Sequence, residues 1–152
     1  MRSPERNQLD RFYALADEAA IEESLDATAA DDGVTRHTAI RALGMRGASA
    51  AVFEKLDTDP AKAPGLLRAL AMMHTPEVVA GLIERLGTTN DSQLRQGILA
   101  ALCRLHFHEG AWKGDSWGTR PDTRGPYYQP EPWSETSVIA AALKEALANS
   151  SS

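Results

Sequence analysis

The chain reads as all-α, a solenoid of antiparallel helix pairs with one aromatic and proline-rich loop set into the last pair. Two observations predict this. Apolar residues recur at helical spacing along most of the chain and no convincing period-two run appears, so no sheet is expected. The helices also repeat. Ala39-Ile40-Arg41-Ala42-Leu43, Leu66-Leu67-Arg68-Ala69-Leu70 and Ile98-Leu99-Ala100-Ala101-Leu102 are versions of one helix. Ala51 to Leu56 (AVFEKL) and Gly81 to Leu86 (GLIERL), thirty residues apart, are versions of its partner. A short pair recurring at about 30 to 45 residues cannot bury its apolar face alone, so neighbouring pairs must stack. Ala42, Ala69 and Ala101, at matching positions, let the stacked helices approach closely.

The elements follow in order. Asn7 to Ala19 places Leu9, Phe12, Tyr13, Leu15 and Ala16 on one stripe, and Ile21, Leu25 and Thr28 carry a weaker one before Asp31-Asp32-Gly33. Thr35 to Met45 is a helix closed by Gly44 or Gly47. Ala48 to Leu56 follows and ends at the Thr58–Pro60 turn. Pro64 to Met73 is apolar at Leu66, Leu67, Leu70 and Met73. Thr75 caps the next helix with Pro76 at its first position, and that helix runs to Leu86 with a stop at Gly87. Asn90-Asp91-Ser92 opens Gln93 to His106. Leu70, Ile83, Leu99 and Leu102 are expected in the core.

The partner of that last helix does not follow at once. Glu135 to Asn149 is the delayed partner, with Val138, Ile139, Leu143 and Leu147 parallel to Val78, Val79, Ile83 and Leu86. The chain is thus expected to be one domain over residues 1–152, with an inserted ordered loop at 110–135 and a final helix at 136–149. From Trp112 to Trp133 the insert holds all three tryptophans, two of three tyrosines and four of eight prolines. Glu109 to Ser137 contains no Leu, Ile, Val or Met, so this stretch has no aliphatic core of its own. A flexible linker has little use for five large rings, so the loop packs on a scaffold and displays part of itself. Two roles stay open, an end cap for the exposed side of the last repeat and a binding surface.

Within the insert, Trp112 and Trp133 stand at the two ends as structural anchors. Trp117, Arg120, Asp122, Arg124, Tyr127 and Tyr128 lie between them as binding candidates. Arg120-Pro121 is extended, and Pro121-Asp122 and Gly125-Pro126 favour turns. Asp122 between two arginines forms a charge-assisted fork and stays ionised, a poor general acid. Arg120 or Arg124 beside aromatic faces suits a carboxylate, a phosphate or a sugar hydroxyl.

Composition narrows the function classes. Met1 to Asp32 holds three basic and nine acidic residues, a charge of −6, leaving +1 for the rest of a chain whose net charge is −5. No Lys/Arg-rich run is present, which argues against a grip on nucleic acid. No apolar run approaches membrane-spanning length. The single cysteine, Cys103, excludes an internal disulfide. Cys103, His106, His108 and Glu109 cluster at a helix end without a matching second pair, so Cys103 reads as a small apolar residue and the histidines as packing under the insert. His37 and His74 are isolated and read as structural. No phosphate loop, nucleophile elbow or HExxH motif occurs, and neither a metal nor a cofactor is expected.

Leu102-Cys103-Arg104-Leu105 followed by Trp112, and then Trp117 to Tyr128 (WGTRPDTRGPYY), resembles the HEAT-repeat portion of large multidomain proteins of planctomycete-type bacteria. These are labelled membrane-bound dehydrogenases or haem-binding proteins, and join a β-propeller, HEAT repeats and a cytochrome-c-like domain. This chain lacks the CxxCH haem motif, so none of that redox chemistry falls on its residues. The resemblance implies a helical interaction segment of an exported protein, with a periplasmic location. The expected function is therefore a non-catalytic binding or docking module, its loop contacting a protein partner, a neighbouring domain or a carbohydrate, without nucleic acid or membrane insertion. The alternative is an enzyme of the HEAT-like DNA glycosylase kind, which the acidic balance disfavours. A continuous basic groove separates that alternative from docking.

Overall fold

A computed structural model describes residues 18–111 and 129–150. Among these residues are seven α-helices: α1 (Glu18–Ala27), α2 (Gly33–Arg46), α3 (Ser49–Thr58), α4 (Ala63–Leu70), α5 (Pro76–Thr88), α6 (Ser92–Leu105) and α7 (Thr136–Ser150). A 3-10 turn at Pro60–Lys62 leads into α4. The all-α class holds. Most of the stripe read from Asn7 to Ala19 lies outside the described residues.

Helix ends follow local chemistry. The Asp32 carboxylate accepts the Thr35 N–H at 2.6 Å and caps α2, and Gly47 closes that helix in the left-handed region at φ 64°. Thr75 caps α5, with Pro76 at its first position. Asp91 accepts the N–H groups of Gln93 and Leu94 and caps α6. Gly87, read as a stop, lies inside α5, which runs one residue further to Thr88.

Packing centres on α4. It touches both α2 and α6, while α1 packs on α2, α3 on α4, and α5 and α7 on α6. Ala63, Gly65, Leu66, Leu67, Ala69 and Leu70 are all buried, leaving Pro64 and Arg68 as the exposed residues of α4. Ala42, Ala69 and Ala101 are buried where the helices meet, and a Cβ at Gly97 would lie 2.6 Å from Leu67 Cδ1. On the outer side, Arg85 of α5 grips Asp57 of α3 through two nitrogens and lies 4.3 Å over the Phe53 ring. Leu70 and Leu102 are fully buried, whereas Ile83 and Leu99 are half-buried at the edge of the core.

Two expectations need correction. The chain does contain a minimal sheet, an antiparallel pairing of β1 (His108–Glu109) with β2 (Pro130–Glu131). Two residues per strand leave no periodicity to read, and the pairing exists because the chain must return to the end of α6. In α7, Ile139 and Ala146 are buried but Val138 and Leu147 are exposed, since among the described helices α7 packs chiefly on α6.

Leu102→Ala is expected to cost about 2–5 kcal/mol in urea unfolding, as for other buried leucines; a loss under about 0.5 kcal/mol, the surface level, contradicts its core position. Two glycines test the close approaches with opposite signs. A Cβ at Gly65 would lie 2.4 Å from the Thr28 backbone oxygen, so Gly65→Ala is expected to destabilise by about 1–3 kcal/mol. Gly87 has nothing within 4 Å of a Cβ, so Gly87→Ala is expected to stabilise by about 0.4–1 kcal/mol. Equal signs for the two variants would contradict the packing.

Candidate functional site

An α-helix leaves its last four carbonyls without intrahelical donors. After α6 the chain supplies donors to three successive oxygens in this region. The Trp133 indole N–H donates to the Leu105 carbonyl at 2.7 Å, the Thr136 hydroxyl to that of His106 at 2.7 Å, and His74 Nε2 bonds that of Phe107 at 2.9 Å. A carbonyl only accepts, so Nε2 of His74 carries the proton. Trp133 and Thr136 come from beyond the insert, and His74 from the turn between α4 and α5. The Thr136 hydroxyl also accepts the Trp133 backbone N–H at 2.9 Å. The half-buried Trp133 ring packs on the core and meets His74 edge-on, with centroids 5.3 Å apart.

The stem of the insert is closed just outside this clasp. His108 faces Glu131, and Glu109 faces Pro130. Gly110 donates its N–H to the Gln129 carbonyl at 2.7 Å, and Gln129 donates to Glu109 Oε1 at 3.3 Å. A Cβ at Gly110 would lie 2.9 Å from the Gln129 backbone oxygen, so the narrow stem favours glycine there.

Beside the stem, α2, α4 and α6 open a cleft of about 610 Å³. Arg36, Arg41, Arg68 and Arg104 line it, together with His37, His74 and His108. Glu109 is the one carboxylate among the described lining residues, and Ile40, Ala71 and Met72 form apolar parts of the wall. Arg36 is held by donation to the Ala30 carbonyl at 2.6 Å and the Asp31 carbonyl at 3.3 Å. A second, more apolar trough of about 420 Å³ continues along α4 and α6, past Leu67, Gly97 and Ala100. Arg68 and Arg104 border both.

The insert residues Trp112, Trp117, Arg120, Asp122, Arg124, Tyr127 and Tyr128 lie outside the described residues, so of the aromatic and charged candidates only Trp133 has a described environment. Cys103 is exposed on α6 rather than buried as a small apolar residue. Among the described residues no three His, Cys, Asp or Glu side chains converge as a metal would require. No helix among them is long and apolar enough to cross a membrane. Reading the sequence for basic runs missed the cleft, because its arginines are scattered. The available signal was the repeat register, which sets Arg41 and Arg68 at the same position of successive helices. Comparison with protein-family models, characterised proteins and solved structures finds no match to this chain.

Burial pushes the His74 imidazole below its ordinary range; the Phe107 carbonyl opposes this, while the nearby His108 and Arg104 charges reinforce it. Below about pH 6.5 the unfolded chain binds a proton here that the folded chain takes up only at lower pH. Stability is therefore complete above that pH, falls as pH drops, and levels off below the folded value. His74→Gln keeps an N–H for the Phe107 carbonyl and removes the titration. The slope of unfolding free energy against pH between roughly 7 and 5 is expected to flatten in this variant. An unchanged slope would mean that His74 does not carry it.

Proposed function

We propose that the chain is a non-catalytic docking module, a HEAT-like solenoid of antiparallel helix pairs that presents its Trp/Tyr/Arg-rich insert to a protein partner, a neighbouring domain or a carbohydrate. The observation that carries this reading is the clasp at the end of α6, where Trp133, Thr136 and His74 hold the return of the insert against the core. A loop held this way at its base emerges from a fixed place, which lowers the ordering cost of binding. The sequence repeat and the succession of α2, α4 and α6 as neighbours support the solenoid arrangement. Resemblance of the insert to the HEAT portion of planctomycete-type multidomain proteins supports a role beside other domains of an exported, periplasmic protein. In this reading Trp112 and Trp133 anchor, and Trp117, Arg120, Asp122, Arg124, Tyr127 and Tyr128 make contact.

The arginine-lined cleft favours a second reading, a HEAT-like DNA glycosylase-type enzyme, because such enzymes need a basic groove. Against it, the cleft's one described carboxylate, Glu109, has an oxygen engaged by the Gln129 N–H.

Four variants separate contact from cap. Trp112→Ala and Trp133→Ala are expected to lower the unfolding midpoint markedly if both act as anchors, since fully burying an indole removes up to about 200 Å² from water. Arg124→Ala and Tyr128→Ala are expected to keep the midpoint and to weaken binding in a screen of glycans and flanking domains. If all four unfold alike and nothing binds, the insert is only a cap.

A further inference from the structure

We infer that the cleft across α2, α4 and α6 is a second docking site, built from residues other than the insert's contact candidates, and that it takes an extended acidic peptide segment. The placement of Arg68 points there first. It is the charged residue of an eight-residue helix whose side chains are otherwise buried save Pro64, and its guanidinium has no hydrogen-bond or ion-pair partner among the described residues. Arg41, at the matching position of α2, has none either. A guanidinium aimed into a cleft and unpaired is a bidentate donor for a planar carboxylate.

Spacing narrows the occupant. Neighbouring packed helices stand about 8–10 Å apart, so matching positions on α2 and α4 repeat at that interval. A chain in the extended polyproline II conformation advances about 3.1 Å per residue with about three residues per turn, so carboxylates on every third residue repeat on one face at about 9 Å. Between them, the Ile40–Met72 wall and the trough beside Gly97 accept aliphatic side chains.

The same features fit nucleic acid poorly. Arg36 already donates to two carbonyls, leaving fewer cations than the about 6–10 phosphate contacts of a strong salt-dependent grip. No Trp, Tyr or Phe is among the described lining residues, whereas single-strand sites stack bases on such rings. The chain's net charge of −5 adds repulsion for a polyanion larger than the cleft.

The test is fluorescence anisotropy on the full chain at low salt with three labelled probes. These are a peptide carrying Glu at every third position with Leu and Val between, the same peptide with Gln for Glu, and a DNA duplex. The acidic peptide is expected to bind with saturation, at least tenfold tighter than its Gln counterpart and than the duplex. Arg68→Ala and Arg41→Ala are each expected to weaken it about tenfold, the effect of losing one charge-assisted pair. Arg68→Lys restores only part, because the fork geometry is lost. Lys144→Ala, on the exposed side of α7, is expected to change nothing. Circular dichroism checks that each variant remains folded. Arg124→Ala and Tyr128→Ala leave peptide binding intact, so failure of this site and failure of the insert reading are distinguishable. Equal binding of the Gln peptide, tighter binding of the duplex, no binding of the acidic peptide, or indifference to both Arg68 variants overturns the proposal.

Discussion

Three carbonyl oxygens just past the end of α6 constrain the rest of this chain. Leu105 is fully buried, so its carbonyl cannot rely on bulk water, and an unpaired buried acceptor costs about 1–3 kcal/mol. The fold meets the need with side chains from two distant places, His74 before α5 and Trp133 and Thr136 before α7. Each donor fixes something else. The Trp133 bond holds the return of the insert, the Thr136 bond sets where α7 begins, and the His74 bond ties the α4–α5 turn to both. A helix end is thus converted into the junction from which the insert leaves and to which the last helix returns.

That junction also forms one wall of the cleft. His74 and His108 line it, and Arg104 reaches it from the last turn of α6. The other walls come from close helix approach. Gly44 packs where a Cβ would meet Met72 at 3.0 Å, and Gly97 packs where one would meet Leu67. Small residues pull α2, α4 and α6 together, so the longer side chains above them, Arg41 and Arg68 among them, rim a depression. An arginine is tolerated on α4 because Arg68 takes one of the two exposed positions of that helix, where a long side chain can keep its charged head in water.

How much of this was legible in the sequence follows from the range of each signal. Helix type and most ends were local: the Thr75-Pro76 and Asp91-Ser92 starts and the Gly47 stop depend on one or two residues each. The core positions of Leu70 and Leu102 followed from the repeat. Gly87 misled because a glycine with nothing around it can sit inside a helix at modest cost as readily as end one. Val138 and Leu147 misled because the pattern marks an apolar stripe without saying whether a neighbour covers it. The β1–β2 pairing and the clasp were invisible, since their partners lie 20 to 33 residues apart in sequence. His74 looked isolated for the same reason. The cleft arginines were legible only by aligning the repeats and asking what the exposed position holds.

Clasp and cleft share His74, and this links their electrostatics. The charges of His108 and Arg104 push that imidazole toward its neutral form, which suits a ring whose protonated Nε2 is already committed to the Phe107 carbonyl. Its other nitrogen, Nδ1, is where an added proton would go. A carboxylate seated among the cleft arginines would offset part of that positive charge and ease the addition of that proton, and by linkage the proton would favour the carboxylate. Protonation at Nδ1 leaves the Nε2–H bond to Phe107 in place. The clasp can therefore hold the insert in either charge state, while the cleft beside it responds to the charge that occupies it.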